Sequence, residues 1–163
     1  MEEMKQEQAL LVGSYTDNED EFHYSMAELA NLSKSCGIQV NGLVTQKMRT
    51  VNPATYYGKG KVQEIKEYIE ENNIDVIILN DDLSPSQVRN INDAAGCRVI
   101  ERSTLILDIF ARHAKTKEAI LQVEIAQLQY ILPRINPMGQ NFNERLGLRG
   151  PGEKKYELDR RKI

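Results

Sequence analysis

Two glycine-containing segments hold most of the side chains suited to chemistry. The first, Tyr57-Gly58-Lys59-Gly60-Lys61, lies between a strand-like run and the start of a helix-like one. Backbone N–H groups at such a junction, with the positive end of the helix dipole, hold anions. Gly58, Lys59, Gly60 and Lys61 are therefore candidate phosphate-binding residues, and a tight structural turn is the alternative reading. The spacing is neither that of a P-loop, Gly-x-x-x-x-Gly-Lys-Ser/Thr, nor that of a three-glycine dinucleotide fingerprint. Nucleotide hydrolysis by a P-loop route is not expected of these 163 residues. The second segment, residues 138–152, reads MGQNFNERLGLRGPG and shows no strong period. Arg145, Arg149, Lys154 and Lys155 sit on or beside it, with Arg160, Arg161 and Lys162 behind. Glycines permit close backbone approach, and each Arg can fork onto a phosphate or stack on a base. RNA is the candidate partner, and a solvated loop tip the alternative.

Three other groups have weaker claims. Asn80-Asp81-Asp82 follows the most apolar strand-like run, where open sheets place their ligand-binding loops. It suits a cation, a ribose, or simply a solvated turn. His23 and His113 have no second ligand at metal spacing, and Cys36 and Cys97 have neither that spacing nor a nearby His. No metal site and no catalytic constellation is expected, so this chain by itself is read as a non-enzyme.

The elements that must position these residues follow from the apolar periods. Ala9–Gly13, Ile38–Val44, Val76–Leu79 and Arg98–Ile100 read as strands, the third apolar on both faces as in a parallel sheet. Phe22, Met26, Leu29, Ala30 and Ser33 form one helical stripe, stopped near Gly37. Val62, Ile65 and Ile69 form another, ended by Asn72-Asn73. Ser84, Pro85 and Gln87 make a capping box with proline at the first helical position. Val88, Ile91 and Ala95 are the apolar side of that helix, and Gly96 its end. Repeated strand–helix units predict a small open parallel four-stranded sheet with helices on both faces, over residues 1–102.

From Ser103 the pattern is helical only. A first helix around Leu105, Ile106, Ile109 and Phe110 pauses near Thr116, which caps a longer one. There Leu121, Ile125, Leu128, Leu132 and Ile135 step by four, three, four and three, the seam of an antiparallel helical partner. Ile120, Val123 and Ile131 form a second stripe suited to the α/β part. Pro133 bends the last turn, and Pro137 ends the helix. Residues 103–163 are thus expected to form a helical hairpin with loop 138–152. Its second arm, starting in EKKYELDRRKI, is cut short. An apolar seam without a full partner predicts self-association.

Composition sets the outer limits. At 40% apolar and 28% charged, the chain has core-forming material enough to fold. It has no apolar run of membrane-spanning length and no signal peptide, so a cytoplasmic protein is expected. The net charge of −3 averages an acidic front, −7 over residues 1–33, with a basic end, +3 over residues 138–163. The basic end agrees with a polyanionic partner.

Longer blocks carry a resemblance. They are Pro53–Lys61; Leu83–Asn90 with Arg102–Phe110; and Leu121–Tyr130 leading to Leu132-Pro133-Arg134, then Arg149–Glu153 and Asp159-Arg160-Arg161. In this order they resemble the amino-terminal region of HflX-type GTPases, ribosome-associated translational GTPases. The resemblance spans roughly residues 8–163. It implies an α/β subdomain and a helical hairpin ahead of a GTP-binding domain, which would hold GTP and Mg2+ and is absent here. It further implies binding to the large ribosomal subunit and its rRNA, in splitting or rescuing ribosomes under stress. The loop that approaches rRNA falls on Arg149, Gly150, Pro151, Gly152 and Glu153, with Arg145 nearby.

Overall fold

The computed structural model describes residues 6–134. Four strands alternate with helices: β1 (Gln8–Tyr15), α1 (Glu19–Ser35), β2 (Gln39–Lys47), α2 (Lys59–Asn72), β3 (Val76–Leu79), α3 (Pro85–Ala95) and β4 (Arg98–Glu101). Two further helices follow, α4 (Arg102–His113) and α5 (Lys117–Ile131), and a 3-10 turn at Leu132–Arg134. The sheet order is β2-β1-β3-β4 and every pairing is parallel. The four-stranded parallel sheet expected from the periods is therefore present. Two strands run further than their apolar cores suggested, β1 to Tyr15 and β2 to Lys47.

Side-chain alternation divides the core in two. Leu10 and Val12 of β1, with Ile77 and Leu79 of β3, point to the face covered by Ile65 and Ile69 of α2 and Ile91 and Ala95 of α3. Ala9, Leu11, Val76 and Ile78 point to the other face, against Phe22, Met26 and Leu29 of α1 and Leu105 of α4. β3 is buried at every position, which is why it is apolar on both sides. Gly13 lets α1 come close: a Cβ there would lie 2.6 Å from Met26 Sδ and 3.0 Å from Phe22 Cε1.

Local signals mark the helix ends. Ser84 Oγ accepts from Gln87 N at 3.2 Å while Gln87 Oε1 accepts from Ser84 N at 2.9 Å, completing the capping box. Asn73 and Gly96 close α2 and α3 in the left-handed conformation, at φ 52° and 66°. Thr116 Oγ1 accepts from Ala119 N at 3.0 Å to open α5. The α-helix gives way to a 3-10 turn at Leu132–Arg134, where Pro133 has no N–H to bond back to the preceding turn.

The outer strand β2 is interrupted. Ala9 pairs with Val40 but Leu10 with Gly42, so Asn41 is an extra residue, a β-bulge. Tyr68 of α2 reaches over it and donates to Asn41 Oδ1 at 2.8 Å. Its hydroxyl would lie 2.0 Å from a Cβ placed on Gly42.

The chain divides into two compact units, Met1–Val123 and Glu124–Ile163. The first holds the sheet and α1 to α4. In the second, the described part of α5 shows exposed Ile125, Leu128 and Ile131. Among the described residues no helix is long and apolar enough to cross a membrane.

Candidate functional site

The loops after the strands' carboxyl ends bring two of the three motif blocks together. The loop from β2 to α2 is folded tightly on itself. Asn52 and Tyr56 form an isolated antiparallel bridge, and Asn52 Oδ1 accepts from Ala54 N at 2.8 Å and Thr55 N at 3.2 Å. Closing this loop puts Tyr56 at φ 69°, a conformation that costs about 1 kcal/mol or more in a residue with a Cβ. Its backbone carbonyls face α3. Gln87 Nε2 donates to Asn52 O and Pro53 O, each at 3.3 Å, and Asn90 Nδ2 donates to Ala54 O at 2.8 Å. Pro53–Lys61 and Leu83–Asn90, distant in sequence, are one structural assembly.

At its centre, fully buried Tyr57 donates from its hydroxyl to Asp81 Oδ2 at 2.7 Å. Burial first, then the adjacent Asp81, pushes the Tyr57 phenol far above its ordinary range, so it acts as a donor. Burial likewise pushes the Asp81 carboxyl above the usual carboxylate range. Hydrogen bonds from Tyr57 and Ser14 draw it partly back, while Asp82 pushes it up. Glu101, 5% exposed at the end of β4, accepts from Leu83 N at 3.4 Å.

The third side of the assembly is Arg102, which opens α4. Its Nη1 donates to Asn80 Oδ1 at 2.8 Å, Ser25 O at 3.2 Å and Ser25 Oγ at 3.3 Å, and its Nη2 pairs with Glu28. One guanidinium thus ties α1, the end of β3 and α4. The roles of Ser25, Glu28 and Glu101 were not visible in the sequence. Asn18, whose Oδ1 accepts from Glu21 N at 2.9 Å to cap α1, was also missed, although its place ahead of three acids and a helical stripe is the signal of a helix cap.

Gly58, Lys59, Gly60 and Lys61 form the N-cap and first turn of α2 rather than a tight turn. Gly58 has an ordinary extended backbone, φ −65° and ψ 159°, and no side chain caps the helix. A Cβ on Gly60 would meet nothing within 4 Å. Lys61 Nζ pairs with Glu64 at 3.0 Å, while Lys59 is exposed. His23 pairs with Glu19 on an exposed helix face, and both cysteines are free thiols. Among the described residues no group of three or more His, Cys, Asp and Glu can hold a metal ion. Arg145, Arg149, Gly150, Pro151, Gly152, Glu153, Lys154 and Lys155 lie outside the described residues.

The fold and this assembly define an open, doubly wound α/β module followed by helices. A family model described as "GTP-binding GTPase N-terminal" matches residues 23–111, and one described as "GTP-binding GTPase Middle Region" matches residues 113–163. The chain belongs to the HflX family of GTPases and corresponds to its amino-terminal and middle regions. The GTPase HflX of Alkalihalophilus pseudofirmus is 48% identical over 170 residues, covering 100% of this chain and 40% of the relative. That of Escherichia coli is 39% identical over 159 residues, covering 95% and 37%. The chain thus spans about two fifths of these relatives' length. A crystal structure of a GTP-binding protein from Sulfolobus solfataricus in complex with GDP is 27% identical with a TM-score of 0.56. The likeness covers 97% of this chain and 46% of that one.

Proposed function

We propose that this chain is the ribosome-binding and regulatory region of a cytoplasmic GTPase that separates or rescues ribosomes under stress. GTP and Mg2+ would be bound, and GTP hydrolysed, in the part of the relatives that this chain does not match. Residues 1–102 serve as an α/β platform, and residues 103–163 as a hairpin whose loop 138–152 meets rRNA of the large subunit. The contacts fall to Arg145, Arg149, Gly150, Pro151, Gly152, Glu153, Lys154 and Lys155. The observation that carries this reading is the consecutive match of both family models across residues 23–163. The +3 charge over residues 138–163 supports it independently.

The test is binding of the full-length GTPase to purified large subunits across a salt series, with and without Arg145→Ala/Arg149→Ala. Loss of two phosphate contacts lowers the slope of log affinity against log salt by about two. Unchanged affinity together with an unchanged slope would remove RNA contact by this loop.

A second reading, phosphate held by Gly58 to Lys61, rests on the absence of a side-chain cap at the amino end of α2. Titration with inorganic phosphate decides it: shifts of the amide resonances of Lys59 to Lys61 support it, and silence at those amides removes it.

A further inference from the structure

Of the two edges of the sheet, only that of β2 is long. β4 has four residues and leads straight into α4, whereas β2 has nine and contains no proline. Short edge strands, prolines and bulges are what keep sheet edges from pairing with other chains. In this sheet the guard covers only the start of β2. Asn41 is bulged there, and the Tyr68 hydroxyl lies 3.3 Å from its carbonyl oxygen as well as bonding its side chain.

From Leu43 to Lys47 the register with β1 is regular. Met48 N donates to Tyr15 O at 3.0 Å, so the backbone of Met48 faces β1. By the alternation of a parallel ladder, the backbones of Gln46 and Val44 face β1 as well. The N–H and C=O groups of Leu43, Thr45 and Lys47 therefore point away from the sheet, and no described strand lies beyond them. They form a row of donors and acceptors ready to pair with one more strand.

The side chains beside this edge select what can pair with it. Leu43 lies opposite Leu11, on the α1 face of the sheet, and is 51% exposed. Between α1 and the start of β2 is a cavity of about 450 Å3, lined by Ala30, Lys34, Ile38 and Val40 among others. It has room for a side chain of an added strand. Charge here has one sign. Residues 29–63 carry Lys34, Lys47, Arg49, Lys59 and Lys61 and no Asp or Glu, a net of +5 in a chain of net −3. Exposed Lys34 flanks the start of β2, and exposed Lys47 and Arg49 its end, with Leu43 between. A second copy of β2 would set like charge near like charge. A nucleic acid would meet the charges but leave the row of backbone groups unused. An extended acidic peptide satisfies both.

We infer that the β2 edge is a docking site for an extended acidic segment of a partner protein, added to the sheet as a fifth strand. Its apolar residues lie over Leu43, and its acidic residues reach Lys34 at one end and Lys47 and Arg49 at the other. The test uses the 163-residue chain and the capped peptide Glu-Glu-Val-Thr-Val-Glu-Glu, read by amide hydrogen exchange. Controls are the same peptide with Lys for Glu, and oligouridylate. The acidic peptide should slow exchange at Leu43, Thr45 and Lys47 and leave Val44 and Gln46, already bonded to β1, as they were. The lysine peptide should bind at least roughly ten-fold more weakly, and Lys47→Glu/Arg49→Glu should narrow or reverse that preference. Thr45→Pro removes an outward donor and should abolish the protection. The proposal is overturned by no protection of the three amides, by protection without the alternation, or by equal affinity for the two peptides. It is equally overturned by the same protection from oligouridylate, or by protection that appears without peptide as chain concentration rises, the mark of a second copy. Should Thr45→Pro not fold, the exchange pattern of the native chain and the charge-reversed variant decide it.

Discussion

At the scale of single residues, the Tyr57–Asp81 contact has the largest measurable consequences. Asp81 is a carboxyl whose folded pKa burial raises above its unfolded value of about 3.9. Between those two values the folded state binds more protons than the unfolded one. The contribution of Asp81 to stability is therefore present below the unfolded pKa and falls as pH rises through the folded one. Asp81→Asn keeps an acceptor for Tyr57 and removes that dependence. Urea unfolding at a series of pH values should show the variant gaining on the native chain as pH rises from about 4. A difference that stays flat across the series would mean that Asp81 is not held in this way. Tyr57→Phe leaves the buried carboxyl short of a donor and should cost about 1–3 kcal/mol. None of this was legible in the sequence, where Asp81 reads first as part of a solvated turn before the Ser84 cap. A contact spanning 24 residues is decided by which loops the sheet brings together.

At the scale of elements, the sequence was most informative where one short pattern decides the backbone. The Ser84-Pro85-Gln87 start of α3, the Asn73 and Gly96 stops, and the four apolar residues of β3 were all readable because each signal is complete within a few residues. The ends of β1 and β2 were not, because Ser14, Tyr15, Thr45 and Gln46 are held by pairing with the neighbouring strand. The bulge at Asn41 was equally hidden, since it is defined by register. It yields a sharp prediction. Gly42→Ala would drive a methyl into the Tyr68 hydroxyl and should cost about 1–3 kcal/mol in chemical unfolding. In a Tyr68→Ala background the same change should cost clearly less, a non-additivity that a double-mutant cycle reads directly. Equal costs in both backgrounds would show that Tyr68 is not the obstacle.

At the scale of the whole molecule, the two units differ in how they satisfy their apolar residues. The α/β unit fills both faces of its sheet. α5 has no fully buried residue, and Leu121, Ile125, Leu128 and Leu132 are 57%, 48%, 43% and 39% exposed. These are the residues of the stepped seam for which the sequence predicts a helical partner. In the second stripe Ile120 and Ile131 are 42% and 48% exposed and Val123 is half-buried. This chain should dimerise with increasing concentration, and Leu121→Glu/Leu128→Glu should restore a monomer in sedimentation velocity. A native chain that stays monomeric at high concentration would refute it. The loop proposed to meet rRNA, by contrast, is singled out by its family motif alone, since its composition fits a solvated tip just as well.

The parallel sheet also dictates a timetable for synthesis. β1 is emitted first, yet it is an inner strand. Its register partner for Leu10 on one side is Gly42 and on the other Ile77, some 67 residues later. At about 5–20 residues per second, the apolar Ala9–Val12 run waits roughly 3 to 13 seconds for β3 to emerge. It is covered on both faces only once α1 and α2 have both been made. During that interval the nascent chain offers a naked hydrophobic strand to whatever holds such segments near the exit tunnel. Rare codons between residues 48 and 75 would lengthen the wait, whereas the same codons after residue 101 would not.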